Sequence, residues 1–381
     1  MSVTAASGFV AAAGTAGIKS SGDPDLAVVI AEDGPVPAAG VFTRNSAAAA
    51  PVTLSRRRLG GGRARAVLVN SGSANAGTGR DGVVDAEKVT KRLADLLTSE
   101  PELVLMCSTG PIGVRLPVDR IVSSLPGLVA SADRDGGSAA AAAIITTDSQ
   151  PKTAIHHGNG FTVGGMAKGA GMLRPDMATM LCVLTTDAEV NSDMLRYALE
   201  DAVPVTFNSL NIDGCESTND SVILMASGRG MRVRADEFGE AVEAVCRRLA
   251  LEMAADAEGS TRVVTLRIAG AADDQTARRY GKTIADSVLV RASFYGGDPN
   301  WGRILAALGT CQVDPTKVHI AYEGFTVAEQ GTGVPFDDQK LAKVLTGDFV
   351  IDVIVGEGRG AAQVVTTDLT PDYVRFNGER S

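Results

Sequence analysis

Histidine is scarce in this chain. Among 381 residues there are three, His156, His157 and His319. A multi-histidine metal site is nearly excluded, and a histidine-based catalytic triad has only these three to draw on. His156 and His157 are neighbours beside Gly158 and Asn159, which places them at a turn. Cysteine is thin as well. Cys107, Cys182, Cys215, Cys246 and Cys311 are scattered singly, none in a C-x-x-C pair, and their number is odd. That usage argues against a disulfide framework or a zinc knuckle and fits a reducing cytoplasm. Long apolar runs are missing: no stretch approaches the roughly 18 residues that span a bilayer. The opening MSVTAASGFVAAAGTAGIK has no basic lead before its apolar part and does not read as a signal peptide. Positive charge is outnumbered. The 36 basic and 45 acidic residues leave a net charge of −9, which argues against nucleic acid as the main partner.

What is present is the balance of a globular protein, 45% hydrophobic and 21% charged. At roughly 150 residues per domain the length allows two or three domains. Strand-like and helix-like segments alternate throughout. Leu26–Ile30, Ala66–Val69, Leu103–Met106, Phe161–Val163, Met180–Leu184 and Ser221–Met225 are short apolar runs that read as strands. Helical spacing marks residues 84–98, 117–129 and 236–257, and an Ala-rich helix covers Gly137 to Ala143. Asn191 and Ser192 are good caps for a helix that follows them. Further on, the pattern predicts a strand at 263–268, a helix at 273–286, a strand at 288–294, a helix after Asn300-Trp301-Gly302 and another at 337–346. The class is α/β or α+β. The expected division is an α/β core over residues 1–280 and a smaller C-terminal α/β domain over 281–381.

The segment Lys168-Gly169-Ala170-Gly171-Met172-Leu173-Arg174-Pro175-Asp176-Met177-Ala178-Thr179-Met180-Leu181 carries the sharpest chemistry. Read plainly, it is a glycine turn or an ordinary loop, and it lacks both the Walker and the Rossmann spacing. The other reading is a self-cleaving nucleophile. Ala178 leaves the peptide bond accessible, and the Thr179 hydroxyl can attack its own preceding carbonyl. Hydrolysis then frees a threonine whose α-amine has a pKa of roughly 7.7–8.0. That amine can serve as base for its own hydroxyl, so no histidine is required.

This segment resembles the cleavage motif of the ornithine acetyltransferase family, the glutamate N-acetyltransferases. AAGVFTRN (38–45), VNSGSANAGTG (69–79), CSTGPIG (107–113), TTDSQPK (146–152), IDGCESTNDS (212–221), DAEG (256–259), GGDPNWGR (296–303) and DLTPDYVRFN (368–377) resemble family blocks in the family's order. The resemblance implies an N-terminal-nucleophile-like sandwich of sheets and helices. It implies an autoproteolytic acyltransferase of arginine biosynthesis, or of a related pathway, split between Ala178 and Thr179 into an α chain 1–178 and a β chain 179–381. Thr179 would be the nucleophile, with Thr109 and Gly110 as the oxyanion hole, where loss of one donor costs ~10²–10³ in rate. Thr146, Lys168, Glu258 and Asn377 match substrate-contacting positions. Lys168 suits a substrate carboxylate and Glu258 an amine. An acetyl group would pass from N-acetylornithine to glutamate by a ping-pong route, with no metal or organic cofactor, in the cytoplasm, within an α2β2 or higher assembly.

Each of these residues also has a plainer reading. Lys168 can be a solvated loop lysine, Glu258 a surface charge at a helix end, Thr109 and Gly110 turn formers, and Thr146-Thr147-Asp148 a helix stop. Asn219 and Asp220 look structural. An amidohydrolase or aminopeptidase would use the same nucleophile, and a non-catalytic nucleotide-binding protein would use only the glycine turns. The chain also departs from the family pattern. Arg380 stands where the family has tyrosine, Arg291-Ala292 replaces Lys-Thr, and Pro111 replaces an aliphatic residue. These changes point to altered substrate recognition, with Arg380 favouring substrates that carry an extra carboxylate.

Overall fold

A computed structural model describes residues 2–172 and 180–379. Leu173–Thr179, and with them the cleavage site, lie outside the described residues, as do Arg380 and Ser381. Two compact units are present. Among the described residues, the first takes in 2–169, 180–207 and 216–253, and the second 170–172, 208–215 and 254–379.

The first unit contains β1 (Phe9–Gly14), β2 (Leu26–Ala31), β3 (Val36–Phe42), α1 (Ala50–Arg58), β4 (Arg63–Ala64), β5 (Ala66–Ser71), α2 (Gly79–Leu96), β6 (Val104–Thr109), α3 (Val118–Ala130), α4 (Gly137–Ala143), β7 (Lys152–His157), β8 (Thr162–Lys168), β9 (Leu181–Thr186), α5 (Ser192–Val205) and β10 (Ser221–Ala226), and most of α6 (Ala235–Ala255). Two sheets form, in the orders β1-β2-β5-β6 and β4-β3-β10-β9-β8-β7. They face each other across one core. Val29, Val67, Leu105 and Cys107 of one sheet meet Met166, Val183 and Ile223 of the other, with Ala140 and Ala141 of α4 wedged in. The outer face of the first sheet packs Val28, Leu68 and Met106 on Val89 and Leu93 of α2 and Ile121 and Leu125 of α3. On the second sheet, Gly165 of β8 lets α6 approach: a Cβ there would stand 3.2 Å from both Val245 and Leu249.

Helices therefore cover both outer faces of a two-sheet sandwich, the α/β architecture that the resemblance implies. Covered on both sides, β2, β5, β6, β9 and β10 are buried along their whole length, which is why they read as unbroken apolar runs. Asn191 caps α5 by accepting the Met194 N–H.

The second unit holds β11 (Val263–Ala271), α7 (Asp274–Asp286), α8 (Val288–Gly296), α9 (Trp301–Gly309), β12 (His319–Tyr322), β13 (Phe325–Glu329), β14 (Thr332–Gly333), α10 (Asp338–Val344), β15 (Phe349–Ile354), β16 (Gly360–Thr367) and α11 (Pro371–Gly378). Its sheet runs β14-β13-β12-β15-β11-β16. Buried and open positions alternate along β11 and β15, so one face carries the core and the other is open.

Three expectations change. The unit boundary falls at 253/254, not 280/281, because β11 pairs with both β15 and β16, and α7 packs with them. Residues 288–294 form α8, not a strand. The β-branched residues there favour a strand, but Ser287 caps the helix at Val290 N–H, and Val290, Arg291 and Phe294 share a buried face at helical spacing. His156 and His157 end β7, an edge strand, and the turn follows them.

Candidate active site

Of the residues of the first unit expected at the site, Thr109 and Lys168 end strands, and Gly110 and Thr146 lie in the connecting turns. Thr109 is the last residue of β6 and is buried. Gly110 follows with φ +136°, a backbone that favours glycine, and a Cβ there would stand 2.5 Å from Ser73 N. The turn is laced to residues 72–76: Gly72 N–H donates to Thr109 O at 2.8 Å, Ala74 N–H to Pro111 O at 3.2 Å, and Gly113 N–H to Ala76 O at 2.8 Å. Asn70 anchors that lacing, donating to Ser73 O at 2.9 Å and accepting from Ser108 Oγ at 2.5 Å. Two blocks about 40 residues apart in the sequence thus form one rigid turn pair. Pro111 uses its carbonyl in that pair while its ring is exposed.

Lys168 ends β8 and is buried, with 4% of its side chain exposed, so it is not a solvated loop lysine. Its ammonium lies 3.7 Å from Asp148 Oδ2. Asp148 is a hub. Oδ1 accepts from Lys152 Nζ at 2.6 Å and from Gly169 N–H at 2.7 Å, and Oδ2 accepts from Thr146 N–H at 3.1 Å. Burial pushes the Asp148 carboxyl up, but Lys168, Lys152 and the Gly169 N–H outweigh it and bring its pKa down to about 2. The TTDSQPK turn is therefore more than a helix stop. One carboxylate ties Thr146, Lys152, Lys168 and Gly169 together, and neither Asp148 nor Lys152 stood out in the sequence.

Met180, the first described residue after the cleavage position, is held on both sides of its backbone. Its N–H donates to Asp220 Oδ1 at 2.7 Å, and its carbonyl accepts from Ser221 N–H at 3.2 Å. Asp220 is buried, and burial, opposed by the Met180 N–H and Lys168, raises its pKa well above the usual carboxylate range. Thr179 and Ala178 themselves lie outside the described residues.

In the second unit, Glu258 follows the end of α6 and is not a free surface charge. Its N–H donates to Ala170 O at 2.9 Å. Its carboxylate fills the space that a side chain at Gly171 would need. Asn377 lies on α11, is exposed, and donates to Tyr373 O at 3.2 Å. The DAEG and DLTPDYVRFN blocks come together here. Asp368 accepts from Thr261 N–H at 2.9 Å and from Arg262 N–H at 3.2 Å, and Thr370 Oγ donates to Gly259 O. Arg291, a departure expected to bear on substrate recognition, is buried. Its guanidinium donates to Thr367 O at 3.0 Å and Asp368 O at 3.2 Å, and lies 5.9 Å from the centre of the Tyr373 ring. It clamps the approach to α11.

Thiols offer no rival nucleophile in the core: burial pushes Cys107 and Cys246 up to about 12. Among the described residues, no group of three or more His, Cys, Asp or Glu is placed to hold a metal ion, and no helix is long and apolar enough to cross a membrane.

A family model described as the ArgJ family matches residues 10–381. The chain belongs to the ArgJ family. It is 45% identical over 385 residues to the arginine biosynthesis bifunctional protein ArgJ of Thermobifida fusca, covering 100% of both chains. To the protein of that name from Mycobacterium tuberculosis (strain H37Rv) it is 45% identical over 390 residues, covering 100% of this chain and 96% of that one. Among solved structures, it is similar to an ornithine acetyltransferase complexed with ornithine from Mycobacterium tuberculosis: 46% identity, 47% of this chain, 95% of that chain, TM-score 0.45. A second is the arginine biosynthesis bifunctional protein ArgJ of Bacillus halodurans: 34% identity, 51% of this chain, 96% of that one, TM-score 0.49. Membership in the ArgJ family carries the acyltransferase class and the place in arginine biosynthesis that the sequence blocks imply.

Proposed function

We propose that the chain cleaves itself between Ala178 and Thr179 and then moves an acetyl group from N-acetylornithine to glutamate through an acetyl ester on Thr179. The full-length ArgJ match, which spans the KGAGMLRPDMATML motif, carries this reading. In the first half-reaction, Thr179 Oγ attacks the acetyl carbonyl while the Thr179 α-amine takes the hydroxyl proton and passes it to the departing ornithine amine. In the second, the glutamate amine attacks the ester, and Thr179 regains its proton. Thr109 and Gly110 stabilise the oxyanion of both tetrahedral intermediates. The lacing of their turn to residues 72–76 supports that role, because donors held in advance need no rearrangement when charge develops.

Lys168 pairs with a substrate carboxylate, Glu258 with a substrate amine, and Thr146 and Asn377 supply polar contacts. The donor is already an amide and the ester stores the acyl group, so the cycle needs no cofactor. The processed chains pair as α2β2.

The test is Thr179→Ala. It is expected to stay at the intact mass and to transfer no acetyl group, while wild type splits into fragments 1–178 and 179–381. Thr179→Ser keeps a hydroxyl and retains part of both activities. An alanine variant that still cleaves and turns over rules out the mechanism. Release of acetate in the presence of every amino-acid acceptor tried would identify an amidohydrolase.

A further inference from the structure

Two adjacent residues that no step above uses reach toward opposite halves of the chemistry. Asn219 Nδ2 donates to Ser108 O at 2.8 Å and to Ala74 O at 2.7 Å. Ser108 precedes Thr109 and Gly110, and Ala74 belongs to the segment 72–76 that is laced to their turn. The neighbouring Asp220 accepts the Met180 N–H at 2.7 Å, and Ser221 donates to the Met180 carbonyl. Met180 is bonded to Thr179. The two contacts therefore leave the chain from Cα atoms about 3.8 Å apart, with no flexible segment between them.

The bracket is itself fixed. Asn219 N–H donates to Ser217 Oγ at 3.0 Å, Thr218 Oγ1 donates to Asn219 Oδ1 at 2.6 Å, and Thr43 N–H donates to Asp220 O at 3.1 Å. Asn219 and Asp220 are both buried, and among the described residues Asp220 Oδ2 has no hydrogen-bond partner. A carboxyl group kept in that setting to hold one backbone N–H is a costly arrangement for packing alone.

We propose that Asn219 and Asp220 are positioning residues which together set the distance between the oxyanion turn and the peptide that carries the nucleophile. The inference rests on reading Thr179 as nucleophile and Thr109–Gly110 as oxyanion turn. Neither residue touches substrate. Both act through the backbone they hold, Asn219 on the turn and Asp220 on the first peptide of the β chain. Their effect belongs in kcat and in the rate of self-cleavage, not in substrate affinity.

The experiment compares Asn219→Ala, Asp220→Ala, the double variant and Asp220→Asn with wild type. It measures self-cleavage by intact mass, and kcat and KM with N-acetylornithine and glutamate per cleaved chain. A misplacement of about 1 Å can cost about 10²-fold in rate, so each alanine variant is expected to lose about that much in kcat and in cleavage rate, with KM unchanged. Breaking either end uncouples the same two parts, so the double variant should be no worse than the poorer single. Asp220→Asn keeps an oxygen to accept the Met180 N–H and should largely restore kcat. Asn219→Ser and Asp220→Ser replace the alanines if those fail to fold, with the same expectation.

Unchanged kcat in folded variants, a change confined to KM, additive losses, or no rescue by Asp220→Asn would each overturn the bracket. Activity that survives Thr179→Ala would overturn the nucleophile reading itself. Activity that needs Thr179 but ignores residues 219 and 220 would overturn the bracket alone.

Discussion

Asp148 sits between two buried ammonium groups and accepts two backbone N–H bonds. Its carboxyl is the group whose charge state matters most to that cluster. The folded-state pKa of about 2 lies below the ordinary 3.8. The sign follows directly. The stabilisation is complete above pH about 4 and is lost as pH falls through about 2. A shift of this size corresponds to something on the order of 2 kcal/mol. Asp148→Asn is expected to lower Tm at neutral pH, and the gap from wild type should narrow between pH about 4 and 2. A gap that stays constant across that range would show that the charge contributes nothing. The sequence marks Lys168 through its motif. It does not mark the burial of Lys168 or its partner, because the partner comes from a turn that only the hairpin of β7 and β8 brings alongside.

At the scale of elements, α8 and α11 carry the lesson. Residues 288–294 have strand-forming residue types, and they fold as a helix because Ser287 caps it and Val290 and Phe294 find a core. Propensity is a weak prior against packing. Arg291 on that helix holds the connection from β16 into α11 through the carbonyls of Thr367 and Asp368. Arg291→Met keeps the stem but leaves both carbonyls without their donor, a cost of about 1–3 kcal/mol for each buried group so stranded. The expected result is a lower Tm and faster proteolysis within residues 371–378. A variant with wild-type Tm and protection would show that Arg291 does not clamp the helix.

For the molecule as a whole, the proposed cut falls between strands that share one sheet. β8 comes from the α chain, and β9 and β10 come from the β chain, yet β8 pairs with β9 from Val163↔Thr186 to Lys168↔Leu181. β10 pairs in turn with β3 of the α chain. Cleavage therefore removes one peptide bond and none of these ladders. Fragments 1–178 and 179–381 are expected to co-elute under native conditions and to separate only in denaturant. Separation on a native column would mean that the β chain does not stay in the shared sheet. The same topology keeps most of the first unit's core intact whether or not the chain is cut, since Met166 packs with Val183 and Ile223.

The sequence by itself determined the α/β class, most of the elements, the Asn191 cap and the ordered family blocks, and it raised the expectation of a nucleophile that needs no histidine. Those are local properties, carried by spacing and side-chain chemistry within a few residues. The tertiary structure alone decided which distant residues meet. Asn219 meets Ala74 across 145 residues and Ser108 across 111, and Asp220 meets Met180 across 40. Burial pushes both carboxyls up, but Lys168, Lys152 and the Gly169 N–H outweigh it at Asp148 and lower that group, whereas burial prevails at Asp220 and raises it, although both are aspartates. The physical reason is one and the same. Desolvation and partner geometry arise only when distant strands close over a shared core, and no local pattern carries that information.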